Sequence, residues 1–341
     1  MAGPVTLSDV AREAGVSLAT ASRAINGSPT RTVGPELRAR VLAAAERLRY
    51  SPDANAQAMA RGRTTSVGLV VHDIADPYFS TIARGITHAA GRAGLQVILA
   101  STEQDPTREV EIVGLLRRQR ARAIVIAGSR YDDPALTTGL RDALDEYLAS
   151  GGTAAVVGQP VLGTDTVHAA NAKGARALAR ALHARGYRDV AVLGGPAHHL
   201  TARERREGFV SELAALGAPV PDERVLFCGF DHEGGREAMT RVLASGSRPQ
   251  LVFAVNDLVA LGALAAVRAA GLVVPDDLAL SGFDDITTLR DVVPGLTTVR
   301  IPLEHMGAEA MRLVLEPGGG APRVVEVATE TVLRDSTPAL V

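Results

Sequence analysis

Hydroxyl and guanidinium side chains recur near the N-terminus at spacings that suit contact with nucleic acid. Residues 5–27 predict two short helices that flank a sharp turn at Gly15. The first helix begins after Thr6 and the second after Ser17, because both hydroxyl groups can cap a helix. A helix-turn-helix of this kind can place its second helix in the major groove of DNA. The pattern indicates a DNA-binding headpiece, with an ordinary helical hairpin as the alternative.

The second helix carries side chains for both the phosphate backbone and the bases. Arg23 can make a bidentate contact with a guanine edge, worth roughly 1–3 kcal/mol of discrimination. Leu18 and Ala19 lie at the N-terminal end of this helix and could touch thymine methyl groups. Hydroxyl groups that suit phosphate oxygens are those of Ser17, Thr20 and Ser22.

The distribution of charge favours the same interpretation. The first 65 residues hold nine arginines against five acidic residues, whereas acidic residues outnumber basic ones in the rest of the chain. A basic head on an acidic body suits contact between the head and nucleic acid. The alternative is that the arginines cluster in this part of the chain by chance.

From Ser66 onward, short apolar runs alternate with amphipathic helical stretches. This alternation predicts an α/β fold, because apolar strands that alternate with helices form parallel sheets covered on both faces. The pattern restarts near Ala172, which predicts two doubly wound parallel-sheet lobes. Residues 297–333 predict one more strand, a helix over Leu303–Leu315 and a last strand over Val324–Leu333. We expect these elements to cross back between the lobes.

Polar and aromatic side chains follow several predicted strands at their carboxyl ends, where open α/β sheets bind ligands. Asp76, Tyr78 and Phe79 follow the first strand. As an alternative, Asp76 caps a helix and both aromatic side chains belong to the core. Asn256 follows the strand over Leu251–Val255, and Asp284 follows a strand that ends at Ser281.

The sequence gives little support for an exported solute-binding protein, a membrane protein or an enzyme. One cysteine, Cys228, excludes an intrachain disulfide, and no secretory signal or membrane-spanning apolar run is visible. We expect a cytoplasmic protein. The sequence shows no nucleophile elbow, Walker loop or dinucleotide fingerprint, so we expect no enzyme and no cofactor. His198 and His199 are adjacent and lack a third ligand, so we expect no metal site.

Residues 5–64 resemble the headpiece of the LacI/GalR family of bacterial transcription regulators, and the similarity continues to the C-terminus. The matching stretches are Thr6-Leu7-x-Asp9-Val10-Ala11, Ala14-Gly15-Val16-Ser17, Thr20-x-Ser22-Arg23, Asn26-Gly27 and Tyr50-x-Pro52-x-Ala54. The resemblance implies that positions 18, 19 and 23 read bases, and it adds Asn26 to the DNA-binding set. It also implies a hinge helix over residues 53–61, with Ala56 along paired helices and Met59 as an apolar wedge in the minor groove. Met59 stands where the family typically has Leu.

The resemblance also implies roles in an effector pocket. Thr201, at the start of a helix, would line the pocket, and Arg205 in the same helix would grip ligand hydroxyls or a carboxylate. The alternative for Arg205 is a solvated helix face, which we expect for Arg206. Asn256 and Asp284 would complete the pocket. Phe230 would stack on a sugar or base of the ligand, with a place in the core as the alternative. Gly158 and Gln159 replace a charged pair that is frequent in the family, which leaves the identity of the effector open.

The expected organisation follows from these assignments. We expect a helix-turn-helix headpiece over residues 1–50 and a hinge or linker over 51–65. An effector-binding N-lobe would comprise 66–163 and 292–322, and a C-lobe would comprise 164–291 and 323–341. By resemblance, the protein would be a homodimeric repressor that binds double-stranded operator DNA under the control of a small polar effector such as a sugar.

Overall fold

The computed structural model describes residues 5–27, 32–51, 63–246 and 248–340. The chain divides into two compact units, Met1–Thr65 and Ser66–Val341. The division falls where the sequence pattern changes. Within the described ranges, every helix is too short or too polar to span a lipid bilayer.

The smaller unit contains three helices over its described residues: α1 (Leu7–Glu13), α2 (Leu18–Asn26) and α3 (Pro35–Arg47). Thr6 and Asp9 form a reciprocal capping box at the start of α1, and the Ser17 hydroxyl accepts a hydrogen bond from the Thr20 N–H at the start of α2. Gly15 has a φ of 61°, which a glycine adopts without steric cost. The predicted helix-turn-helix is therefore confirmed. Its small core consists of Val10, Ala11, Ala14, Ala21, Ala24, Val41 and Ala44.

The larger unit alternates strands and helices, as predicted. Its first part contains β1 (Ser66–Val71), α4 (Pro77–Arg92), β2 (Gln96–Ser101), α5 (Arg108–Arg118), β3 (Ala123–Ala127), α6 (Pro134–Ala149), β4 (Thr153–Val157) and β5 (Asp165–Ala169). Its second part contains α7 (Asn171–Ala184), β6 (Val190–Leu193), α8 (Leu200–Ala215), β7 (Val225–Leu226), α9 (His232–Ala244), β8 (Leu251–Ala254), α10 (Asp257–Ala269) and β9 (Ala279–Ser281). The last elements are β10 (Thr298–Arg300), α11 (Leu303–Leu315), β11 (Val324–Val327) and β12 (Glu330–Val332).

The strands form two parallel sheets, which define the N-lobe and the C-lobe. The N-lobe sheet has the order β11-β5-β4-β3-β1-β2, and the C-lobe sheet has the order β7-β6-β8-β9. Strands β10 and β12 pair antiparallel as a separate ribbon, which bridges to the C-lobe through Ser281–Thr297 and Asp284–Arg300. Central strands such as β3 are buried along their whole length, as expected of a sheet covered on both faces.

The expected lobe boundaries differ from the structure in three places. Strands β5 and β11 pair with each other in the N-lobe sheet. The expected boundaries place both in the C-lobe, β5 within 164–291 and β11 within 323–341. Strand β10 lies beside the C-lobe, although 292–322 was assigned to the N-lobe. The sequence Asp-Thr-Val-His-Ala of β5 lacks the continuous apolar run by which the other strands were recognised.

The segment expected as one strand over Val324–Leu333 is two strands in different sheets, β11 and β12. The chain crosses between the lobes at 328–329, and again at residue 170 and at 301–302. We call these three places the crossover segments. Local sequence did not reveal the break at 328–329, because strand partners far along the chain determine where each half pairs.

Helix α11 packs on α4 in the N-lobe through two glycines. A Cβ atom at Gly85 would collide with the carbonyl oxygen of Glu304, and one at Gly307 would collide with the carbonyl oxygen of Ile82. The two helix backbones can approach each other this closely only because neither glycine has a side chain. This contact fixes α11 to the N-lobe, immediately after the crossover at 301–302.

Candidate effector cleft and nucleic-acid interface

A cavity of about 430 Å³ lies between the lobes, where the carboxyl ends of both sheets meet. All eight side chains predicted for an effector pocket line it: Asp76, Tyr78, Phe79, Thr201, Arg205, Phe230, Asn256 and Asp284. These residues span more than 200 positions of sequence, and the fold brings them to one cleft. Their contact with an effector stays a prediction.

Arg205 is the most tightly held of the cleft side chains, with 1% of its surface exposed. Its Nε donates to Asn171 Oδ1 at 2.9 Å, and Nη1 donates to the Val255 carbonyl oxygen at 2.9 Å. Nη2 lies 2.8 Å from Asp284 Oδ1, and the guanidinium lies 4.1 Å from the centre of the Phe283 ring. The solvated-face alternative is therefore wrong for Arg205.

The expectation of a solvated Arg206 is also wrong. Arg206 is buried, donates from Nη1 to the Gly194 carbonyl oxygen at 2.9 Å and lies over the ring of Phe227. The physical reason is that this side of α8 faces the loop after β6 and not solvent. Arg203 is the more exposed of the three arginines on this helix.

Asp284 combines burial, backbone strain and contact with a crossover segment. Its φ of 123° is unusual for a residue with a side chain. Burial raises the pKa of its carboxyl well above the usual range, although the Arg205 charge opposes that shift. Asp284 Oδ1 is buried and lies 2.8 Å from Arg205 Nη2, so the contact with Arg205 is an ion pair shielded from solvent. The Asp284 N–H donates to the Val299 carbonyl, and its carbonyl accepts from the Ile301 N–H at 3.2 Å.

Asp76 and Asn256 line the cleft and also begin helices. Asp76 Oδ1 accepts from the Tyr78 N–H at 2.8 Å at the start of α4, and burial raises the pKa of Asp76 to about 6. Asn256 Oδ1 accepts from the Val259 N–H at 2.7 Å, and its Nδ2 donates to the Phe230 carbonyl at 2.9 Å. The helix-cap alternative for Asp76 is thus also true, because one oxygen caps the helix while the residue faces the cavity.

Sequence reasoning missed a group of ring side chains in the same cleft. The rings of Tyr131 and His198 stack with centres 5.6 Å apart, and those of His199 and Phe230 lie 4.3 Å apart. Burial lowers the pKa of His199 well below the usual value, and its Nδ1 accepts a hydrogen bond from the Ala202 N–H at 3.3 Å. Tyr131 and the two histidines follow the carboxyl ends of β3 and β6. The rule that found Asp76 could therefore have found them as well.

The lobes touch directly beside the cavity in an antiparallel backbone bridge. The Asp132 N–H donates to the His198 carbonyl at 2.8 Å, and the Leu200 N–H donates to the Arg130 carbonyl at 2.9 Å. An ion pair at 2.7 Å joins Arg203 to Asp132 across the same contact. Gln159 Nε2 adds a hydrogen bond to Thr201 Oγ1 at 2.8 Å, so Thr201 belongs both to the cleft wall and to the interlobe contact.

The predicted DNA-reading side chains lie on the outer face of α2 and at the ends of α1 and α2. Leu18 is 51% exposed, and Ser17, Ala19 and Thr6 are exposed as well. Thr20, Ser22, Arg23 and Asn26 are half-buried, whereas Ala21 and Ala24 face the headpiece core. Ala56 and Met59 of the expected hinge helix lie outside the described residues.

A small all-helical unit with a helix-turn-helix, followed by two parallel-sheet lobes around a polar cleft, defines the class of ligand-controlled DNA-binding regulators. A family model described as bacterial regulatory proteins of the lacI family matches residues 6–53. A second one, described as periplasmic binding proteins and sugar binding domain of the LacI family, matches residues 64–332. The chain belongs to the LacI family and is a DNA-binding transcriptional regulator.

Individual relatives agree with this assignment over nearly the full length. The chain is 30% identical to the HTH-type transcriptional regulator DegA of Bacillus subtilis (strain 168) over 340 residues, which cover 98% of both chains. It matches the solved complex of the transcriptional regulator CelR with cellobiose at 30% identity and a TM-score of 0.71, covering 97% of this chain and 99% of that one. The lac repressor dimer bound to operator and the anti-inducer ONPF shares the fold, with a TM-score of 0.84 at 24% identity, covering 99% of this chain and all of that one.

Proposed function

We propose that this chain is a homodimeric repressor in the bacterial cytoplasm, and that a small polar effector, a sugar or related metabolite, controls its affinity for operator DNA. The convergence of all eight predicted effector residues on one cleft is the observation that carries this proposal. CelR, a full-length relative, has been solved with cellobiose bound. The cleft holds its ligand and releases it unchanged, so the protein catalyses no reaction.

The headpiece supplies the sequence preference. Leu18, Ala19 and Arg23 read base edges in the major groove, where each good bidentate contact is worth about 1–3 kcal/mol. Hydroxyl and amide groups at the helix ends hold phosphates and fix the register without reading sequence; these are Thr6, Ser17, Thr20, Ser22 and Asn26. In the hinge, which lies outside the described residues, Met59 wedges the minor groove and Ala56 lines the paired helices.

The effector acts through the crossover segments. Asp284, whose carboxylate faces the cavity, exchanges backbone hydrogen bonds with Val299 and Ile301 at one crossover. Arg205 holds Asn171, which directly follows the crossover at residue 170. A ligand that shifts this ion pair therefore changes the angle between the lobes. A coupling of about 1–3 kcal/mol is sufficient to alter operator affinity 5- to 150-fold.

A second copy of the chain covers one edge of the N-lobe. Strand β2 lies at the edge of its sheet, and its Ile98 and Leu99 side chains are exposed. Exposed apolar residues on an open sheet edge invite pairing with another chain. The lac repressor was solved as a dimer bound to operator, which agrees with a dimeric state but does not bear on the surface used.

The test begins with selection of genomic DNA fragments by the full-length protein, followed by binding to the selected sequence in a screen of sugars and nucleobases. We expect one near-palindromic site to be enriched and at least one compound to change its affinity. The Arg205→Gln variant should bind the selected site like the wild type but ignore the compound. Arg180→Gln, an exposed change on α7, serves as the matched control. Absence of any enriched sequence would refute the proposal.

A further inference from the structure

Five of the described helices have an N-terminal capping side chain that lines the cavity. The caps are Asp76 on α4, Asp133 on α6, His199 on α8, Asp231 on α9 and Asn256 on α10. All five capping residues line the cavity. Their acceptor atoms lie between 2.7 and 3.3 Å from the backbone N–H groups that they cap.

Closed helix ends change which ligands the cleft can attract. A helix N-terminus binds phosphate or carboxylate through its free N–H groups and its positive partial charge. In this cleft a side chain already accepts a hydrogen bond from one or two of these N–H groups at each of the five ends, and three of those side chains are carboxylates. The helix ends are therefore partly neutralised from within the protein before any ligand arrives.

The remaining charges of the wall are also unfavourable for an anion. Six aspartates line the cavity, and Arg205 is the one arginine or lysine among the described residues that do so. Arg205 is itself committed to Asp284, Asn171 and the Val255 carbonyl. The nearby Arg203 is paired with Asp132. With Asp284 and Asp132 paired and the pKa of Asp76 raised by burial, Asp73, Asp133 and Asp231 remain. An incoming anion would thus meet these carboxylates, with no uncommitted arginine or lysine among the described residues that line the cavity.

The same wall offers hydrogen-bond acceptors in excess. Asp76, Asp133 and Asp231 each use Oδ1 for the helix cap, and Oδ2 makes no hydrogen bond with the described residues. A ligand rich in O–H or N–H donors satisfies these oxygens, and hydrogen bonds to a charged acceptor are about twice as strong as neutral ones.

We infer that the cleft selects a donor-rich effector that is not an anion, either a neutral polyhydroxylated compound or one that carries an amine, and that it rejects the phosphorylated or carboxylated form of the same compound. The half-buried rings of Tyr131 and Phe230 also line the cavity and add an apolar surface for a ring of the ligand. This inference rests on the proposed effector function and specifies the charge class of the ligand.

The test uses the full-length protein and a polar metabolite extract from bacteria, supplemented with matched sets of sugars and nucleosides. Each set contains a neutral, an amine-bearing and a phosphorylated or carboxylated member. Compounds retained by the protein are identified by mass spectrometry in both ion polarities, with the Arg205→Gln variant as the blank. We expect every compound whose retention depends on Arg205 to be neutral or cationic.

Two different failures remain distinguishable. Retention of an anionic compound in preference to its neutral partner, dependent on Arg205, would overturn the charge preference and leave effector control intact. Retention of no compound that depends on Arg205 would overturn the effector site itself, and the inference with it.

A variant that changes one charge gives an independent readout. Asp231→Asn keeps an oxygen to cap α9 but removes a carboxylate from the cavity wall. We expect the ratio of anionic to neutral compound retained to rise by roughly threefold to tenfold, as for removal of a nearby, partly screened charge. Asp145→Asn, an exposed change on α6, should leave this ratio unchanged. An equal ratio in all three proteins would contradict the inference.

Discussion

A buried ion pair beside the cleft should be one of the larger single contributors to the stability of the N-lobe. Both Nη atoms of Arg130 lie 2.8 Å from the carboxylate oxygens of Glu109, and the two side chains are 5% and 3% exposed. Burial by itself raises the pKa of Glu109, but the Arg130 charge and the hydrogen bonds from His72 and Arg130 outweigh it and lower the pKa from 4.5 to about 2. A change of that size corresponds to about 3 kcal/mol in favour of the charged form.

Replacing Glu109 with Gln removes the negative charge and leaves the Arg130 guanidinium buried without its partner. Loss of one member of a buried pair costs about 3–5 kcal/mol, because the remaining charge has given up its hydration. We expect the free energy of unfolding to fall by that amount, measured by urea denaturation of the full-length protein with circular dichroism as the signal.

The chain offers a matched control with the same chemistry on the surface. Arg117 and Glu146 lie 2.7 Å apart between α5 and α6, but their side chains are 39% and 62% exposed. Exposed pairs contribute about 0–1 kcal/mol, so Glu146→Gln should change stability by less than about 1 kcal/mol. Similar losses for the two variants would refute the view that burial determines the strength of the Glu109 pair.

The same reasoning fixes how the effect depends on pH. Because the folded-state pKa of Glu109 lies below its unfolded-state value, the pair stabilises the protein fully above about pH 4.5. That contribution is lost as pH falls through the folded-state pKa near 2. The difference in stability between wild type and Glu109→Gln should therefore narrow between these pH values. A difference that stays constant down to pH 2 would contradict the assignment.

Two further changes test the headpiece and the N-lobe packing. Arg23→Ala should weaken binding to the selected operator by about 1–3 kcal/mol but spare affinity for random DNA, measured by titration of both at one salt concentration; equal losses would remove Arg23 from the base readers. Gly85→Ala should destabilise the protein by about 1–3 kcal/mol, because the new methyl group meets the Glu304 carbonyl. Gly91→Ala, in the same helix but with open space around it, should be neutral or slightly stabilising by thermal denaturation.

Local features of the fold were predictable because the residues that cause them are neighbours in sequence. The capping box of Thr6 and Asp9 spans four residues, and the Ser17 cap spans a similar distance. Helix α11 begins and ends at the residues expected, Leu303 and Leu315. In each case hydrogen bonds within one turn, or an apolar stripe along one helix, determine the structure, and both are visible in a short window.

The features that sequence did not reveal depend on distant partners. Strand β5 begins with Asp165, whose carboxylate pairs with Arg323 just before β11, and its strand partner is more than 150 residues away. Arg205 and Arg206 are adjacent, yet each is buried by a different set of contacts, with Asn171 and Asp284 in one case and Gly194 in the other. No short stretch of sequence contains these partners. The burial of Arg206 therefore becomes visible only in the folded structure.

The double role of the cleft residues decides which substitutions can separate ligand binding from folding. A capping aspartate changed to alanine loses the cap, at a cost of about 0.5–2 kcal/mol, together with its charge. If such a variant lost its response to the effector, the cause could be either a frayed helix or a missing contact with the ligand. Asparagine caps a helix as well as aspartate does, so Asp76→Asn and Asp231→Asn remove the charge alone. The polarity of the cleft can therefore be altered one carboxylate at a time while the helix ends that shape it stay closed.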